Sequence, residues 1–475
     1  MAKNSLAMAL VQLISQVSTL ILSIILNAYL MEDYNTYTSA FSVANVLFLI
    51  ADLGLGLKLV VDVAPNKSIA PQKLNTILLL RGVMGGLAIL MTLALVLLQE
   101  MPSKVALAYM VIALSTALSW IAQTFSAMFT AYERMYYVLM TSLVERAFTV
   151  SLAIVLVLTG FGLETVVMVV LSGSVLYVFL SYAVCSKFIV KPSRGVNFKL
   201  AKQELKEAAP FAINVGLVST FYALNGFLLL SIIWGMNGRE AGELANTLFY
   251  IAFNLVAALI NVPTVFKQAL LPVIARLYSS SPEMTGLAQQ KLMKYMYSMG
   301  LPLTLGGMIL ADDIMGLLYV DRAGSVIVLQ VLLPVLAISY FGTGQGSLLA
   351  AAKMMHLSTI SSSAGAALNF VVCIVSIPLL GPVGAALAFT LATLVTNAIQ
   401  YYFVYTRVVK LNIIKIIGRP TLAGIGMAVV LLLLPDLNLF LAVGLGFLVY
   451  VALLFLLKAI DDEDKDIMRR VFKRD

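Results

Sequence analysis

TILLLRGVMGGLAILMTLALVLL, residues 76–98, is the stretch that decides the fold class, because it holds one charged residue, Arg81, in 23 positions. An α-helix rises about 1.5 Å per residue, so this run would extend about 35 Å, more than the roughly 30 Å of a bilayer's hydrocarbon core. In water, a helix that is apolar on every side has no face to turn to the solvent. We therefore predict a transmembrane helix here.

The whole chain has the composition of a membrane protein. Of its 475 residues, 61% are hydrophobic and 11% are charged, whereas soluble domains average roughly half and a quarter. Lipid is needed to cover that much apolar surface, and no stretch is polar enough to form a soluble domain. The formal charge of +8 reports orientation in the bilayer, so we expect no nucleic-acid partner.

Fourteen apolar runs are long enough to be spanning helices. The first follows Lys3, and we expect it to be a helix rather than a signal peptide, because it is too long for a typical apolar signal region and leads directly into further spans. The predicted spans are residues 5–30, 37–61, 76–98, 105–130, 138–160, 163–186, 211–234, 244–274, 295–319, 325–350, 357–379, 383–406, 418–435 and 437–457. The sequence thus predicts an all-α integral membrane protein with about fourteen transmembrane helices.

The positions of the basic residues predict the orientation. With the N-terminus in the cytoplasm, the cytoplasmic segments hold 24 of the 31 Lys and Arg when Arg419, at the cytoplasmic edge of the thirteenth span, is counted with them, and the external loops hold three. The opposite orientation would violate the positive-inside rule at nearly every loop. We therefore expect a multi-pass protein of the cytoplasmic (inner) membrane with both termini in the cytoplasm.

The spans divide into two lobes of six helices and a final pair. The predicted parts are a first lobe, residues 1–186; a basic cytoplasmic linker, 187–210; a second lobe, 211–407; helices thirteen and fourteen, 408–458; and a charged cytoplasmic tail, 459–475. The linker is expected to be solvated and to lie on anionic headgroups. A docking site for a partner enzyme is the alternative.

The two lobes look like a repeat. An offset of 209 aligns Asn45 of the second span with Asn254 of the eighth, and it also aligns Asp52 with Asn261 and Lys58 with Lys267. Because the lobes are separated by an even number of helices, the copies have the same orientation and are related by a pseudo-two-fold axis along the membrane normal. Repeats of this kind usually enclose a central site, which favours a transporter.

Ionisable residues within spans are costly and usually face an internal cavity. Lys58 and Arg81 lie near the cytoplasmic boundary and can instead reach the headgroups. Arg146 and Lys267 lie deeper and are the stronger candidates for a cavity. If several of these four cations share one chamber, it suits an anionic group such as phosphate or pyrophosphate.

Polar neighbours complete the candidate site. Asn45, Asn254 and Asn261 can hydrogen-bond a sugar, although bracing of neighbouring helices is the alternative for each. Asp52 and Glu145 are the candidates for ion coupling, and Asp52 can also compensate Lys58 or Arg81. Glu145 and Arg146 are adjacent in sequence and project about 100° apart on a helix, so they need not pair.

Several classes of function are excluded. The sequence contains no phosphate-binding loop, no His-Glu zinc motif and no Gly-x-Ser-x-Gly elbow. It has one histidine, His356, and two unpaired cysteines, Cys185 and Cys373, so no metal site or disulfide is expected. We expect no enzyme and no cofactor, with an Na⁺ or H⁺ gradient or the substrate gradient as the driving force.

Four short motifs resemble those of a known family. Residues 51–56, ADLGLG, resemble the Asp-Leu-Gly-Leu element of polysaccharide transporters in the multidrug/oligosaccharidyl-lipid/polysaccharide exporter superfamily. Residues 269–277, ALLPVIARL, are similar to that superfamily's Leu-Pro-x-x-(Ser/Ala)-Arg-Leu element, and residues 365–369 and 379–386 are similar to its pattern around helices eleven and twelve. The resemblance covers about residues 5–406.

The resemblance implies two six-helix lobes that form a V around a cationic cavity. It also implies a flippase of the O-antigen type, which moves a polyprenyl-(pyro)phosphate-linked oligosaccharide from the cytoplasmic to the external leaflet for cell-surface polysaccharide synthesis. Lys58 occupies a place where relatives often carry a basic residue. The first helix lacks the arginines typical of lipid II flippases, which puts the peptidoglycan precursor in doubt as the substrate.

The expected partners are the lipid-linked oligosaccharide, membrane lipids and other glycan-assembly enzymes, and we expect a monomer. A multidrug or cation exporter of the same superfamily is the first alternative function. A membrane glycan polymerase or ligase is an alternative of another class, but the long external loop expected of such an enzyme is absent from the sequence.

Overall fold

The computed structural model describes residues 2–52, 54–192, 201–202, 204–205, 224–260, 262–263, 282–319, 322, 324–352, 354–435 and 437–459. Every long regular element in these ranges is an α-helix, and none of the described residues lies in a β-strand. The predicted all-α fold is therefore confirmed.

The first nine helices follow the order of the predicted spans. They are α1, Ala2–Leu30; α2, Asp33–Asp52; α3, Leu55–Val63; α4, Ala70–Leu98; α5, Ser103–Ala131; α6, Met135–Leu158; α7, Leu163–Phe188; α8, Leu224–Asn237; and α9, Arg239–Ile260.

Nine further helices are described in the second part of the chain. They are α10, Pro282–Ile309; α11, Ala311–Leu318; α12, Gly324–Leu332; α13, Pro334–Phe341; α14, Gln345–Ala351; α15, Met355–Leu380; α16, Pro382–Arg407; α17, Ile413–Leu433; and α18, Leu439–Leu456. The chain folds into two compact units, the first formed by residues 1–261 and 366–389 and the second by residues 262–365 and 390–475. The predicted lobe boundaries remain a prediction.

The described residues contain ten helices that are long and apolar enough to cross a membrane, or up to eleven when the bent pair α10 and α11 is taken as one span. The apolar side chains on these helices are widely exposed: in α18, Phe440 and Leu456 are 73% and 76% exposed. Exposed apolar surface of this extent is stable against lipid and not against water. The chain is thus a multi-pass membrane protein, and the number fourteen remains a prediction.

Three predicted spans are broken. The second, residues 37–61, is divided between α2 and α3, and Gly54 between them has φ +70°, a left-handed conformation that favours glycine. The ninth, residues 295–319, belongs to a helix that starts earlier, at Pro282, and bends by 77° into α11. The tenth, residues 325–350, consists of α12, α13 and α14, with Pro334 at the start of α13.

The core of the first unit lies around α3, α4 and α5. Leu55 and Leu59 of α3 pack with Leu74 and Ile77 of α4, and all four are fully buried. Ala201, in the segment predicted to be a solvated linker, is also part of this core. Ala201 and Glu204 of that segment are therefore buried against the helices near Lys58, whereas its described lysines, Lys187, Lys191 and Lys202, are exposed.

In the second unit, the last two helices pack on α10. Met427 and Leu431 of α17 and Tyr450 of α18 are buried in a cluster with Leu310. The Tyr450 hydroxyl donates a hydrogen bond of 2.9 Å to the Ser298 carbonyl in α10. The final pair of helices is therefore an integral part of this unit.

Candidate functional site

Lys58 lies in a cluster of four charges at the end of α3 that the predicted orientation places in the cytoplasm. Its Nζ is 2.5 Å from Asp62 Oδ2 and 2.8 Å from Glu204 Oε2. Lys73 Nζ is 2.8 Å from the same Asp62 oxygen and also pairs with Glu204. Lys58 is 2% exposed and Glu204 is fully buried, whereas Lys73 and Asp62 are partly exposed, so a buried ion pair is joined to a second pair at the edge of the cluster.

The cluster ties three segments together: α3, α4 and the fragment around Glu204. Desolvation makes buried ions costly, so such a cluster is retained only when its geometry is good, and removal of one partner leaves an uncompensated charge that costs about 3–5 kcal/mol. Lys58 is thus neutralised by two carboxylates in this conformation. Its predicted role in binding substrate remains a prediction.

Arg81 is buried between α4 and α5. Its Nη1 donates hydrogen bonds to the Trp120 carbonyl at 2.7 Å and to Thr124 Oγ1 at 3.0 Å, and the guanidinium lies 5.6 Å from the Trp120 ring centroid. Arg81 is 6% exposed. It therefore does not extend to the headgroups in this structure, and its contacts join the two helices.

Arg146 is the most accessible of the described intramembrane cations. Its side chain is 39% exposed, and its Nε is 3.6 Å from Glu145 Oε2, so these neighbours lie within ion-pair distance although their helical positions do not require it. Glu145 also accepts a hydrogen bond of 3.1 Å from Thr149 Oγ1.

Arg146 lies on α6, where that helix packs against α1. It lines a small pocket together with Val11, Ile14 and Ser15 of α1 and with Leu139, Ser142 and Leu143 of its own helix. The partly exposed guanidinium is therefore at the contact between α1 and α6.

The remaining predicted residues have different positions. Asn45 on α2 is exposed, whereas Asn254 on α9 is 7% exposed and lies beside Tyr250. Lys267 and Asn261 lie outside the described residues. Asp52 is the last residue of α2, but its side chain lies outside the description. The site assignments to these three residues remain predictions.

A polar contact that the sequence reasoning missed joins the ends of α2 and α9 that are predicted to be external. We call it the α2–α9 polar contact, and its residues are Thr36, Thr38, Ser39, Ser42, Tyr109, Arg239, Glu243, Asn246 and Thr247. All except Arg239 are buried. Uncharged hydrogen bonds contribute about 0.5–1.5 kcal/mol each and those to charged groups about 1.5–3 kcal/mol, so the whole contact is a substantial restraint.

Glu243 is the centre of this contact. Its carboxylate accepts hydrogen bonds from Thr36 Oγ1 at 3.0 Å, from Arg239 Nη1 at 3.3 Å and from the Tyr109 hydroxyl at 3.5 Å. Deeper along the helices, Ser42 Oγ donates to Asn246 Oδ1 at 3.1 Å. Three helices, α2, α5 and α9, are therefore held by one carboxylate.

Thr38 and Thr247 relate the contact to the predicted repeat. Their hydroxyls are 2.7 Å apart, and the two residues are separated by 209 positions, the offset that aligns the lobes. A residue and its repeat equivalent meet where the axis relating the two copies passes. The direct contact of this pair is what a pseudo-two-fold axis between α2 and α9 requires.

The sequence contains part of the signal for two features that were not predicted, the α2–α9 polar contact and the carboxylate partners of Lys58. In α2 and α9, small polar residues recur three to four positions apart, which places them on one helix face. Asp62 follows Lys58 by four positions, the spacing of a helical ion pair. No local pattern links Glu204 to Lys58, because their contact depends on how the linker folds back.

A buried amide pair braces three helices in the first unit. Asn225 of α8 donates to the Ala385 carbonyl in α16 at 3.0 Å and accepts from Asn369 of α15 at 2.5 Å. Both asparagines are fully buried. Bracing, the alternative role considered for the intramembrane amides, is thus observed for this pair.

Three solved structures have the same fold. A structure described as lipid II flippase MurJ in an inward closed conformation aligns with a TM-score of 0.72 and 14% identity, over 94% of this chain and 97% of that one. An inward-facing multidrug resistance MATE family transporter of the MOP superfamily aligns with 0.58 and 14%, over 86% and 98%. A MOP superfamily transporter from Pyrococcus furiosus aligns with 0.59 and 14%, over 86% and 96%. At this identity the likeness shows the fold.

The described residues therefore form an all-α, multi-pass membrane protein with the fold of these three structures. The sequence model of the family described as "Polysaccharide biosynthesis protein" matches residues 1–278. The chain belongs to this family. A comparison with curated protein sequences finds no match.

Proposed function

We propose that this protein is a flippase that moves a polyprenyl-(pyro)phosphate-linked oligosaccharide of the O-antigen type from the cytoplasmic to the external leaflet. The observation that carries the proposal is Arg146, an intramembrane cation that is 39% exposed and lies where α6 packs against α1. An accessible guanidinium inside a membrane protein binds phosphate by charge-assisted hydrogen bonds. Membership of a polysaccharide biosynthesis family supports a glycan as the transported headgroup.

The binding roles are divided between charged and amide side chains. Arg146 and Lys267 hold the phosphate, and Asn45, Asn254 and Asn261 hydrogen-bond the sugars while the polyprenyl chain stays in the bilayer. Lys58 and Arg81 are engaged by protein groups in this conformation. They join the phosphate site only if those contacts open during the cycle.

Transport proceeds by alternating access. In the described conformation the α2–α9 polar contact joins the helix ends predicted to be external, so the headgroup enters from the cytoplasm. Separation of α2 and α9 then exposes the headgroup outside. Asp52 and Glu145 are the candidates for coupling this change to an Na⁺ or H⁺ gradient, and the protein works as a monomer in the cytoplasmic membrane, with both termini in the cytoplasm, alongside glycan-assembly enzymes.

The test measures the leaflet of a lipid-linked oligosaccharide in proteoliposomes, read by a glycan-modifying probe that cannot cross the membrane. We expect protein-dependent exposure of the glycan, reduced at least about tenfold by Arg146→Ala, because one charge-assisted phosphate contact contributes about 1.5–3 kcal/mol. Arg407→Ala, which removes an exposed arginine at the end of α16, is the matched control and should transport normally.

The other outcomes are also informative. Normal transport by Arg146→Ala would keep the function and contradict the assignment of the phosphate site. Absence of transfer together with protein-dependent efflux of an organic cation would contradict the proposal and favour the drug exporter. Consumption of the lipid-linked substrate would instead favour the polymerase or ligase.

A further inference from the structure

The second unit contains a large cavity between α10 and α17. Its volume is about 1020 Å³, above the range of roughly 300–1,000 Å³ typical of small-molecule sites. It lies at the starts of both helices, which the predicted orientation places at the cytoplasmic face. Among the residues assigned to the transported substrate, none of those that the structure describes lines it.

Four basic residues line the cavity: Lys291, Lys294, Lys415 and Arg419. The first two are three positions apart on α10, and the other two are four positions apart on α17, so each pair shares one helix face. Among the described lining residues there is no acidic one. The charged side chains of the described lining are therefore all basic.

Burial and one hydrogen bond constrain the positions of two of these basic side chains. Lys294 is 8% exposed, so its ammonium is held within the protein rather than extended into solvent. Arg419 Nη1 donates a hydrogen bond of 2.5 Å to the Lys458 carbonyl at the end of α18. The Arg419 guanidinium thus has a defined position at the edge of the cavity.

Apolar side chains lie next to the basic ones. Ile414 is 76% exposed and Leu422 is 59% exposed, and both belong to the cavity lining. A cationic row followed by apolar surface matches the two parts of a lipid, a phosphate at the headgroup level and an acyl chain in the hydrocarbon. Basic pockets between helices on the cytoplasmic side are known to bind anionic headgroups.

We propose that this cavity binds an anionic phospholipid of the cytoplasmic leaflet, with its phosphate between the basic residues of α10 and α17 and its acyl chain along Ile414 and Leu422. The lipid joins α10 to α17 and α18 and stabilises the second unit. This inference does not depend on the proposed transport function, because it concerns a resident lipid and not the transported one.

The experiment titrates the purified protein in detergent with phosphatidylglycerol and with phosphatidylcholine, and reads bound lipid by native mass spectrometry. Lys294→Gln with Lys415→Gln is expected to weaken phosphatidylglycerol binding at least about tenfold, since each basic residue near an anionic lipid contributes about fivefold. The control pair, Arg407→Gln with Lys410→Gln, removes the same charge from exposed positions outside the cavity lining and should bind normally.

A second variant fills the cavity without changing its charge. Gly418 lines the cavity, and a Cβ added there would meet only Ile414 Cγ2, at 3.7 Å. The position therefore tolerates the Cβ of Gly418→Trp, and we expect the indole to occupy part of the cavity. We expect the variant to lose phosphatidylglycerol binding although all four basic residues remain. This variant keeps the proposal testable if the double lysine variant does not fold.

Several results would overturn the proposal. Equal binding of phosphatidylcholine, or equal weakening in the control pair, would show a contact without selectivity for anionic lipid at this cavity. Inorganic phosphate that displaces phosphatidylglycerol at equal concentration would indicate a site for a free anion. Binding of a polyprenyl phosphate without any binding of phosphatidylglycerol would assign the cavity to the carrier lipid instead.

Discussion

At the scale of single residues, the membrane-embedded charges of this protein fall into two groups. Lys58 and Arg81 are nearly fully buried and make defined contacts with protein groups, whereas Arg146 is partly exposed. Ionisable side chains inside a membrane protein serve either to join helices or to bind a ligand. The burial and the hydrogen-bonding or ionic partners of each described cation indicate which of these roles it has. Its position in the sequence alone does not distinguish them.

Glu204 is the residue whose removal should be most damaging to the four-charge cluster. Glu204→Ala leaves Asp62 as the one carboxylate shared by Lys58 and Lys73. We expect the free energy of unfolding to fall by about 3 kcal/mol, because the change removes a carboxylate that compensates the buried Lys58 ammonium. The measurement is the apparent melting temperature in detergent. Glu164→Ala, at an exposed position in the first turn of α7, is the control, and an equal melting temperature for the two variants would contradict the assigned role.

The partners of Lys58 show what the sequence can predict at this scale. Its pairing with Asp62 follows from helical spacing. Compensation of Lys58 by Asp52 stays a prediction, because the Asp52 side chain lies outside the described residues, whereas Asp62 and Glu204 are described partners of Lys58. Glu204 was not predictable, because it belongs to a segment whose charge pattern indicated solvation and whose burial depends on contacts with distant helices.

At the scale of helices, some predicted spans consist of two or more helices separated by a break. Gly54 divides the second predicted span within the Asp-Leu-Gly-Leu motif, and α3 starts a new helix that carries Lys58. The break therefore sets the direction of α3 independently of α2. A change of the angle between them can move the charge cluster while the α2–α9 polar contact stays closed.

Gly54→Ala tests the importance of this break. A side chain in the left-handed conformation costs roughly 1–2 kcal/mol, so we expect a lower apparent melting temperature. Gly86→Ala is the control: it lies within α4, and no atom lies within 4 Å of the added Cβ, so higher helix propensity should preserve or raise stability. A stability of Gly54→Ala equal to that of the control would contradict the backbone requirement.

The helix boundaries were predictable where apolar length determines them. The predicted span 105–130 is observed as α5, Ser103–Ala131. The agreement arises because Pro102 before the helix and Glu133 after it bound both the apolar run and the helix. The start of α10 at Pro282 was missed, since its first two turns are polar and a helix can continue beyond the bilayer. Hydropathy identifies the part of a helix that is apolar enough to contact lipid. It does not identify a polar extension of the same helix, whose stability depends on tertiary contacts.

At the scale of the whole molecule, the fold class follows from the apolar runs, and the order of the motifs indicates the polysaccharide biosynthesis family. The α2–α9 polar contact did not follow, because it depends on the pairing of two helices about two hundred residues apart. The repeat offset nevertheless aligned Thr38 with Thr247, which are in direct contact. The repeat offset therefore identifies which residues of the two helices are equivalent and can meet, whereas the sequence of either helix alone does not.

The central claim is that α2 and α9 must separate for the glycan to reach the external leaflet. The most direct test places cysteines at Thr38 and Thr247, whose hydroxyls are 2.7 Å apart, and measures glycan exposure in proteoliposomes under oxidising and reducing conditions. The control places cysteines at Ser119 and Ser174, which are 3.1 Å apart on α5 and α7 of one predicted lobe. The native cysteines are buried.

We expect the Thr38→Cys/Thr247→Cys disulfide to stop glycan exposure and a reductant to restore it, whereas the Ser119→Cys/Ser174→Cys disulfide leaves exposure unchanged. Mass spectrometry establishes that each disulfide has formed. Glycan exposure at the normal rate with the disulfide between positions 38 and 247 intact would contradict transport through an opening between these helices.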